Sequence, residues 1–265
     1  MRFLTDAQSL FFETNGYVMI EGALTPGELE KARAAADDAE ARWRRKPDLP
    51  GYRQPEFEEI DAVMEYHPTL FDLAEHPSVF PLVWESLGGD IQIIDHAYYI
   101  TPPGGALKGS AWHTDVGKRI HGVYHPRSTL MIRVMFALED VADDGGATLV
   151  LPGSHRRLPD FSVPPVETPE EMPGAVRLAC KAGSAYFYSG SLWHSPSHNR
   201  SSVTRRMLLY NYGHRWMRMW KGHEPSAWLI EQAKTPMRKQ LIGEWQAYYG
   251  PNAELGEATS PSSNR

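Results

Sequence analysis

With 265 residues and 42% hydrophobic side chains, the chain is long enough to bury a full core, most simply as one domain with decorations. A formal net charge of −6 and the lack of a strong basic block exclude nucleic acid as the main partner. A single cysteine, Cys180, excludes an intramolecular disulfide and a cysteine-rich metal cluster, and suits a reducing compartment. No apolar run reaches bilayer length and "MRFLTDAQSL" lacks a signal-peptide core, so the expectation is a soluble cytoplasmic protein, monomer or homodimer, with no membrane partner.

The first ninety residues read as helical. "TPGELEKARAAADDAEARWRRK" has Thr25 at the cap, Pro26 at the first helical position and Glu28 closing a capping box. Its alanine- and charge-rich body favours helix, with the charges on a solvated face. "PSVFPLVWESLGG" reads as a shorter helix stopped by Gly88 and Gly89.

From residue 91 to about 215 the pattern changes. "IQIIDHAYYI", "TLMIRVMFAL", "ATLVLPG", "SAYFYSG" and "RRMLLYNY" are short β-branched and aromatic runs separated by Gly, Pro, Asp and Ser clusters. Successive strands without intervening helices predict antiparallel sheets, as a sandwich or jelly roll. Residues 216–250 read as helical again, interrupted at Pro236, and the polar stretch 251–265 reads as a disordered tail.

The chemistry begins in "GSAWHTDVG", residues 109–117. About one His-x-acid triplet is expected by chance in this composition, so His113-x-Asp115 needs support from elsewhere. In an extended segment, positions i and i+2 share a face, which would aim both side chains inward. Two histidines and one carboxylate on one face is the ligand set of non-haem Fe(II) oxygenases. His194, at the end of an apolar run in "YSGSLWHSPSHNR", is the candidate third ligand. It competes with His198, which sits in a polar loop. Fe(II) with these three ligands keeps about one net positive charge. A dicarboxylate such as 2-oxoglutarate could chelate it, and its far carboxylate would then need a buried partner. A guanidinium suits that duty, and Arg205 and Arg206 follow at the start of a strand.

At this point a resemblance is visible. "FFETNGYVMIEGALTPGELEKA", His113-x-Asp115, "ALEDVADDGGATLVLPGSHRR", His194 and, eleven residues on, Arg205 resemble in order the motifs of the phytanoyl-CoA dioxygenase family of Fe(II)/2-oxoglutarate oxygenases. The resemblance implies a mainly β protein with flanking helices around a double-stranded β-helix (jelly-roll, cupin-like) core. It implies Fe(II) as cofactor, 2-oxoglutarate and O2 as co-substrates, a metal triad of His113, Asp115 and His194, and Arg205 on the co-substrate. The resulting domain spans residues 1–250. Halogenases related to the family have a small residue where this chain has Asp115, so the carboxylate argues for oxygen chemistry. Many relatives carry a lysine just before "PPG", where Thr101 stands here. A hydroxyl two residues after the distal histidine is replaced by Pro196, flanked by Ser195 and Ser197. Thr101, Tyr99 and Ser195 therefore join Arg205 as the candidate co-substrate set.

Period-two alternation puts Met131, Arg133 and Met135 on one face of their strand, the face that the resemblance turns to the site. Arg133 would meet an acidic group of the substrate or co-substrate, or would pair with a surface carboxylate at the barrel edge. Trp112 is a further pocket candidate, with core packing as its alternative. His155 reads as a turn residue, and "HGVYHPRS", residues 121–128, as a substrate loop or lid. The substrate is expected to be a small molecule, such as a natural-product intermediate. Two rivals stand beside this reading: a cupin-type metalloenzyme that does not use 2-oxoglutarate, and a non-catalytic jelly-roll binding module.

Overall fold

The computed structural model describes residues 4–106, 112–116, 129–157 and 162–244. The strands in chain order are β1 (Tyr17–Ile20), β2 (Gly51–Gln54), β3 (Phe57–Asp61), β4 (Ile91–Thr101), β5 (Met131–Ala137), β6 (Leu149–Val150), β7 (Val176–Arg177), β8 (Ala185–Ser189), β9 (His194–Ser195) and β10 (Arg205–His214). The α-helices are α1 (Asp6–Asn15), α2 (Pro26–Arg45), α3 (Pro68–Asp72), α4 (Phe80–Leu87), α5 (Ala227–Gln232) and α6 (Pro236–Leu241).

Seven strands form one sheet in the order β1-β8-β5-β10-β4-β3-β2, and β7-β6-β9 form a second, smaller one. All observed pairings are antiparallel, as the strand-after-strand sequence requires. The mainly β, jelly-roll expectation is met.

Both faces of the large sheet are covered, which is why its central strands read as nearly unbroken apolar runs. Its outer face carries Tyr98, Ile100, Ile132, Val134, Phe136, Leu208 and Tyr210. These pack with Ala32, Ala35, Ala36, Ala39 and Trp43 of α2, with Leu70 and Phe71 of α3, and with Phe80 and Val83 of α4. The small α2 side chains let that helix lie close, and its cap is the predicted one: Thr25 and Glu28 bond reciprocally. The inner face carries Ala97, Met135, Ala137, Tyr186, Tyr188, Met207 and Leu209, and Val150 of the small sheet packs against them.

The helical reading of residues 1–90 needs correction. It holds for α1, α2, α3 and α4, but β1, β2 and β3 also lie in this stretch and extend the large sheet at its two edges. β1 is an apolar run of only four residues, too short to stand out beside α1 and α2, and β2 is exposed throughout. Further on, "ATLVLPG" gives only the two-residue β6. The predicted break at Pro236 is real, because Pro236 begins α6 behind the cap of Thr235. Among the described residues no helix is long and apolar enough to cross a membrane. The loop 121–128 and the tail 251–265 lie outside the described residues.

Phe136 is fully buried against Tyr210 and His76. Phe136→Ala should therefore lower unfolding stability by about 3–5 kcal/mol. Val203→Ala, at a position 47% exposed, should change it by less than about 0.5 kcal/mol. The midpoints of urea unfolding curves check both values.

Candidate metal centre

His113 and His194 are 81 residues apart in sequence, and a backbone bridge joins them. Each amide donates to the other's carbonyl at 3.0 Å. Two residues on, the amide of Asp115 donates to the Gly190 carbonyl at 2.8 Å. The segment around the triplet is thus pinned to the β8–β9 connection. The extended alternation then turns His113 and Asp115 to the same side, as the sequence spacing required.

One ligand atom from each of His113, Asp115 and His194 lies within 4.8 Å of the other two. His113 is exposed, whereas Asp115 and His194 are buried. The Nδ1 atom of His194 lies 2.9 Å from the Leu192 carbonyl. A carbonyl only accepts, so Nδ1 carries the proton and Nε2 keeps its lone pair. Burial pushes the His194 pKa down to about 3, which keeps the ring neutral at physiological pH. Its Nε2 stands 3.7 Å from Asp115 Oδ2.

Both of these atoms are buried without a hydrogen-bond partner in the protein. Orphaned buried acceptors cost free energy, and a divalent cation among them would satisfy both. Two imidazole nitrogens and one carboxylate oxygen form the donor set of a facial triad, so the residues fit Fe(II).

Arg205 opens β10 and turns to the inner face, while Arg206 turns outward to Glu139 and Asp37. This settles which of the two faces the site. The Nη2 of Arg205 donates to Thr148 Oγ1 and to the Tyr186 hydroxyl, each at 3.2 Å. Its Nε is buried without a partner, and no Asp or Glu among the described residues pairs with it. Tyr186 and Tyr188, with rings stacked at 6.4 Å, line the wall between Arg205 and His194; the Tyr188 and His194 rings are 4.8 Å apart.

Of the other sequence candidates, Thr101 stands directly across from Arg205 and Tyr99 across from Met207, both on this inner face. Met135 is there too, its sulfur 3.4 Å from the Tyr186 hydroxyl. Ser195 is not. It follows His194 on β9 and faces the other way, its hydroxyl donating to the Pro196 carbonyl. Trp112 likewise alternates with His113, packs with Leu149, Met172 and Trp193, and donates its indole N–H to the Pro169 carbonyl. Met131 shares the site's face but is sealed into a separate cluster with Ile94, Val116, Leu130 and Met217. Arg133 departs from the barrel-edge expectation. It is buried rather than at the barrel edge, and its partner is Asp115 itself, at 3.0 Å. His198 is a loop residue bound to Glu170.

Sequence reading missed Thr148, Tyr186, Tyr188 and Asn211. Parity could have found three of them. Tyr186 and Tyr188 are two apart on β8, and Asn211 lies on the same side of β10 as Arg205, Met207 and Leu209. Thr148 belongs to the "GGATLV" segment, whose strand is too short for its parity to be read.

The sequence profile described as "Phytanoyl-CoA dioxygenase (PhyH)" matches residues 12–207. The chain belongs to this family of Fe(II)/2-oxoglutarate-dependent oxygenases. Its relatives include the uncharacterized protein Rv1501 of Mycobacterium tuberculosis, 27% identical over 58% of this chain and 54% of that protein. "Dioxygenase cdmA" of Talaromyces verruculosus is 32% identical over 44% of this chain and 38% of its own length. This phytanoyl-CoA dioxygenase family member thus spans about half the length of these two curated relatives, or less. The crystal structure of HygX from Streptomyces hygroscopicus with nickel and 2-oxoglutarate bound superposes with a TM-score of 0.68. It is 15% identical and covers 84% of this chain and 93% of its own, a likeness of fold. HygX has also been solved with hygromycin B bound.

Tyr186→Phe should raise the 2-oxoglutarate concentration needed for half-saturation about fivefold. It removes one charge-assisted hydrogen bond, long at 3.2 Å and worth about 1 kcal/mol, that holds the Arg205 guanidinium. Calorimetric titration of 2-oxoglutarate into the metal-loaded variant measures this directly.

Proposed function

We propose that this chain is an Fe(II)- and 2-oxoglutarate-dependent oxygenase acting on a C–H bond of a small organic molecule. Hydroxylation is the default outcome: substrate, 2-oxoglutarate and O2 give hydroxylated product, succinate and CO2. His113, Asp115 and His194 hold the iron, and Arg205 takes the far carboxylate of the co-substrate. When bound, the iron supplies the activation of O2 that oxidative decarboxylation requires.

The observation that carries this reading is the pairing of two incomplete groups on one inner face. In the cluster Asp115 Oδ2 and His194 Nε2 are buried donor atoms without partners, and Arg205 offers a buried guanidinium without a carboxylate. A lone buried charge is unfavourable, so the second feature favours an anionic guest over a metal site working alone. The protein's own contribution is positional. Thr148 and Tyr186 orient the guanidinium, Leu192 fixes the His194 tautomer, and the covered sheet limits water on one side of the cluster. The family and the small-molecule ligands of its fold neighbours support a low-molecular-weight substrate, and a natural-product intermediate is the class proposed.

The test is succinate formation by the purified chain. Turnover should require Fe(II), 2-oxoglutarate and O2 together, and a substrate should be recognised by its stimulation of succinate release. His194→Ala and Asp115→Ala should abolish it. Turnover that proceeds with Zn(II) or Mn(II) and no 2-oxoglutarate would refute the assignment. Independently of turnover, Mn(II) at a hundredfold excess over its Kd should stabilise the fold by about 2.7 kcal/mol, and EDTA should reverse this. Thermal unfolding with and without the metal reads it out.

A further inference from the structure

Arg133 occupies the inner face of β5, and its guanidinium is divided among three groups. Nη2 donates to Asp115 Oδ1 at 3.0 Å, Nε to Asn211 Oδ1 at 2.9 Å and Nη1 to the Tyr188 hydroxyl at 3.3 Å. Asn211 is oriented from its other side, because its Nδ2 donates to Asp95 Oδ2 at 3.1 Å. Asp95 in turn faces Lys221, with Nζ 3.7 Å from Oδ1. A continuous polar chain thus runs along the inner face and ends on Asp115. Its effect there is asymmetric. Oδ1 is held by the guanidinium, and Oδ2 is left without a partner beside His194 Nε2.

We propose that Arg133 is a positioning residue of the oxygenase site: it holds Asp115 Oδ1 so that Oδ2 is that side chain's one available ligand oxygen, and it offsets the carboxylate's charge toward the anionic co-substrate. This rests on the reading of His113, Asp115 and His194 as iron ligands and of 2-oxoglutarate as the guest. Two physical arguments support it. Three ligand atoms on one face leave the opposite face for a bidentate keto acid and O2. A second oxygen from Asp115 would take one of those positions. The second argument is electrostatic. With Asp115 neutralised by Arg133, the divalent charge of the ion faces the co-substrate with little reduction.

Lysine is a poor replacement. Its single ammonium cannot hold Asp115, Asn211 and Tyr188 at once, as the planar guanidinium does. Arg133 is therefore committed within the site, and an anionic group on the substrate would need another partner.

The experiment uses the full chain with Arg133→Met and Arg133→Lys. Mn(II) affinity is read from the free-ion electron paramagnetic resonance signal, and 2-oxoglutarate affinity from calorimetry on the Mn(II)-loaded protein. In Arg133→Met, 2-oxoglutarate should bind about 10-fold more weakly, because the Asp115 charge is no longer offset where the anionic co-substrate approaches. Mn(II) affinity should move less, because the lost orientation weakens it while the lost cation strengthens it. Arg133→Lys should fall between wild type and Arg133→Met, and it carries the test if the methionine variant does not fold. The proposal is overturned by unchanged 2-oxoglutarate affinity, by equal losses for Mn(II) and 2-oxoglutarate, or by an effect confined to the KM of the organic substrate. His194→Ala separates the two readings. If it binds Mn(II) as tightly as wild type, the metal-site assignment itself is wrong, whatever Arg133 does.

Discussion

The site depends on the pair of backbone hydrogen bonds between His113 and His194. Side chains alone could not bring these two together reproducibly, because 81 residues separate them and long side chains lose rotamer freedom when ordered. The bridge transfers the problem to the backbone, where β9 is in turn paired to β6 and Asp115 is tied to Gly190. Once that register is set, the two-residue period of extended chain decides what points where. His113 and Asp115 turn inward. Trp112 and Ser195, one position away, turn outward.

The large sheet makes the inner face available for polar groups. Its hydrophobic requirement is met on the opposite side, where Phe136, Tyr210, Leu208 and Ile132 pack beneath α2, α3 and α4. The inner side can then carry Asp95, Arg133, Arg205 and Asn211 near the apolar side chains of Met135, Met207 and Leu209. The buried polar groups that face one another are matched: carboxylate with guanidinium, amide with carboxylate, hydroxyl with guanidinium. Three buried side-chain atoms on this face, Asp115 Oδ2, His194 Nε2 and Arg205 Nε, have no hydrogen-bond partner. Each is a polar group that an ion or an anionic ligand could satisfy.

How much of this the sequence revealed follows from the range of each signal. The helix caps, the central strands and the face shared by Met131, Arg133 and Met135 are local, and pattern reading finds them. The short strands β1, β2 and β3 escaped because each is only four or five residues long, and the edge strand β2 is exposed throughout. Arg205 over Arg206 came from the resemblance, since the parity of a strand cannot be carried across the loop from His194. Arg133 shows the same limit from the other side. Its face was legible, but its partner was not. Nothing local in "LMIRVMFAL" says that Asp115, eighteen residues earlier, comes within hydrogen-bond reach.

The two buried arginines therefore differ in a way that composition hides. They face the same interior, and each is bonded to a tyrosine of β8, Arg133 to Tyr188 and Arg205 to Tyr186. Arg133 also has a carboxylate, and its charge is spent within the protein. Arg205 has only hydroxyls, so its charge remains directed at whatever enters. Exchanging these roles would harm the site twice over, because a free cation beside Asp115 would compete with the metal, and a paired Arg205 would not attract a dicarboxylate. The separation of the two duties is achieved by register alone. Asn211 stands opposite Arg133 and Thr101 opposite Arg205, so the first guanidinium meets an amide that steers it towards Asp115, and the second meets no acid. On this sheet, the pairing of β4, β5 and β10 sets the electrostatics of the site as well as its shape.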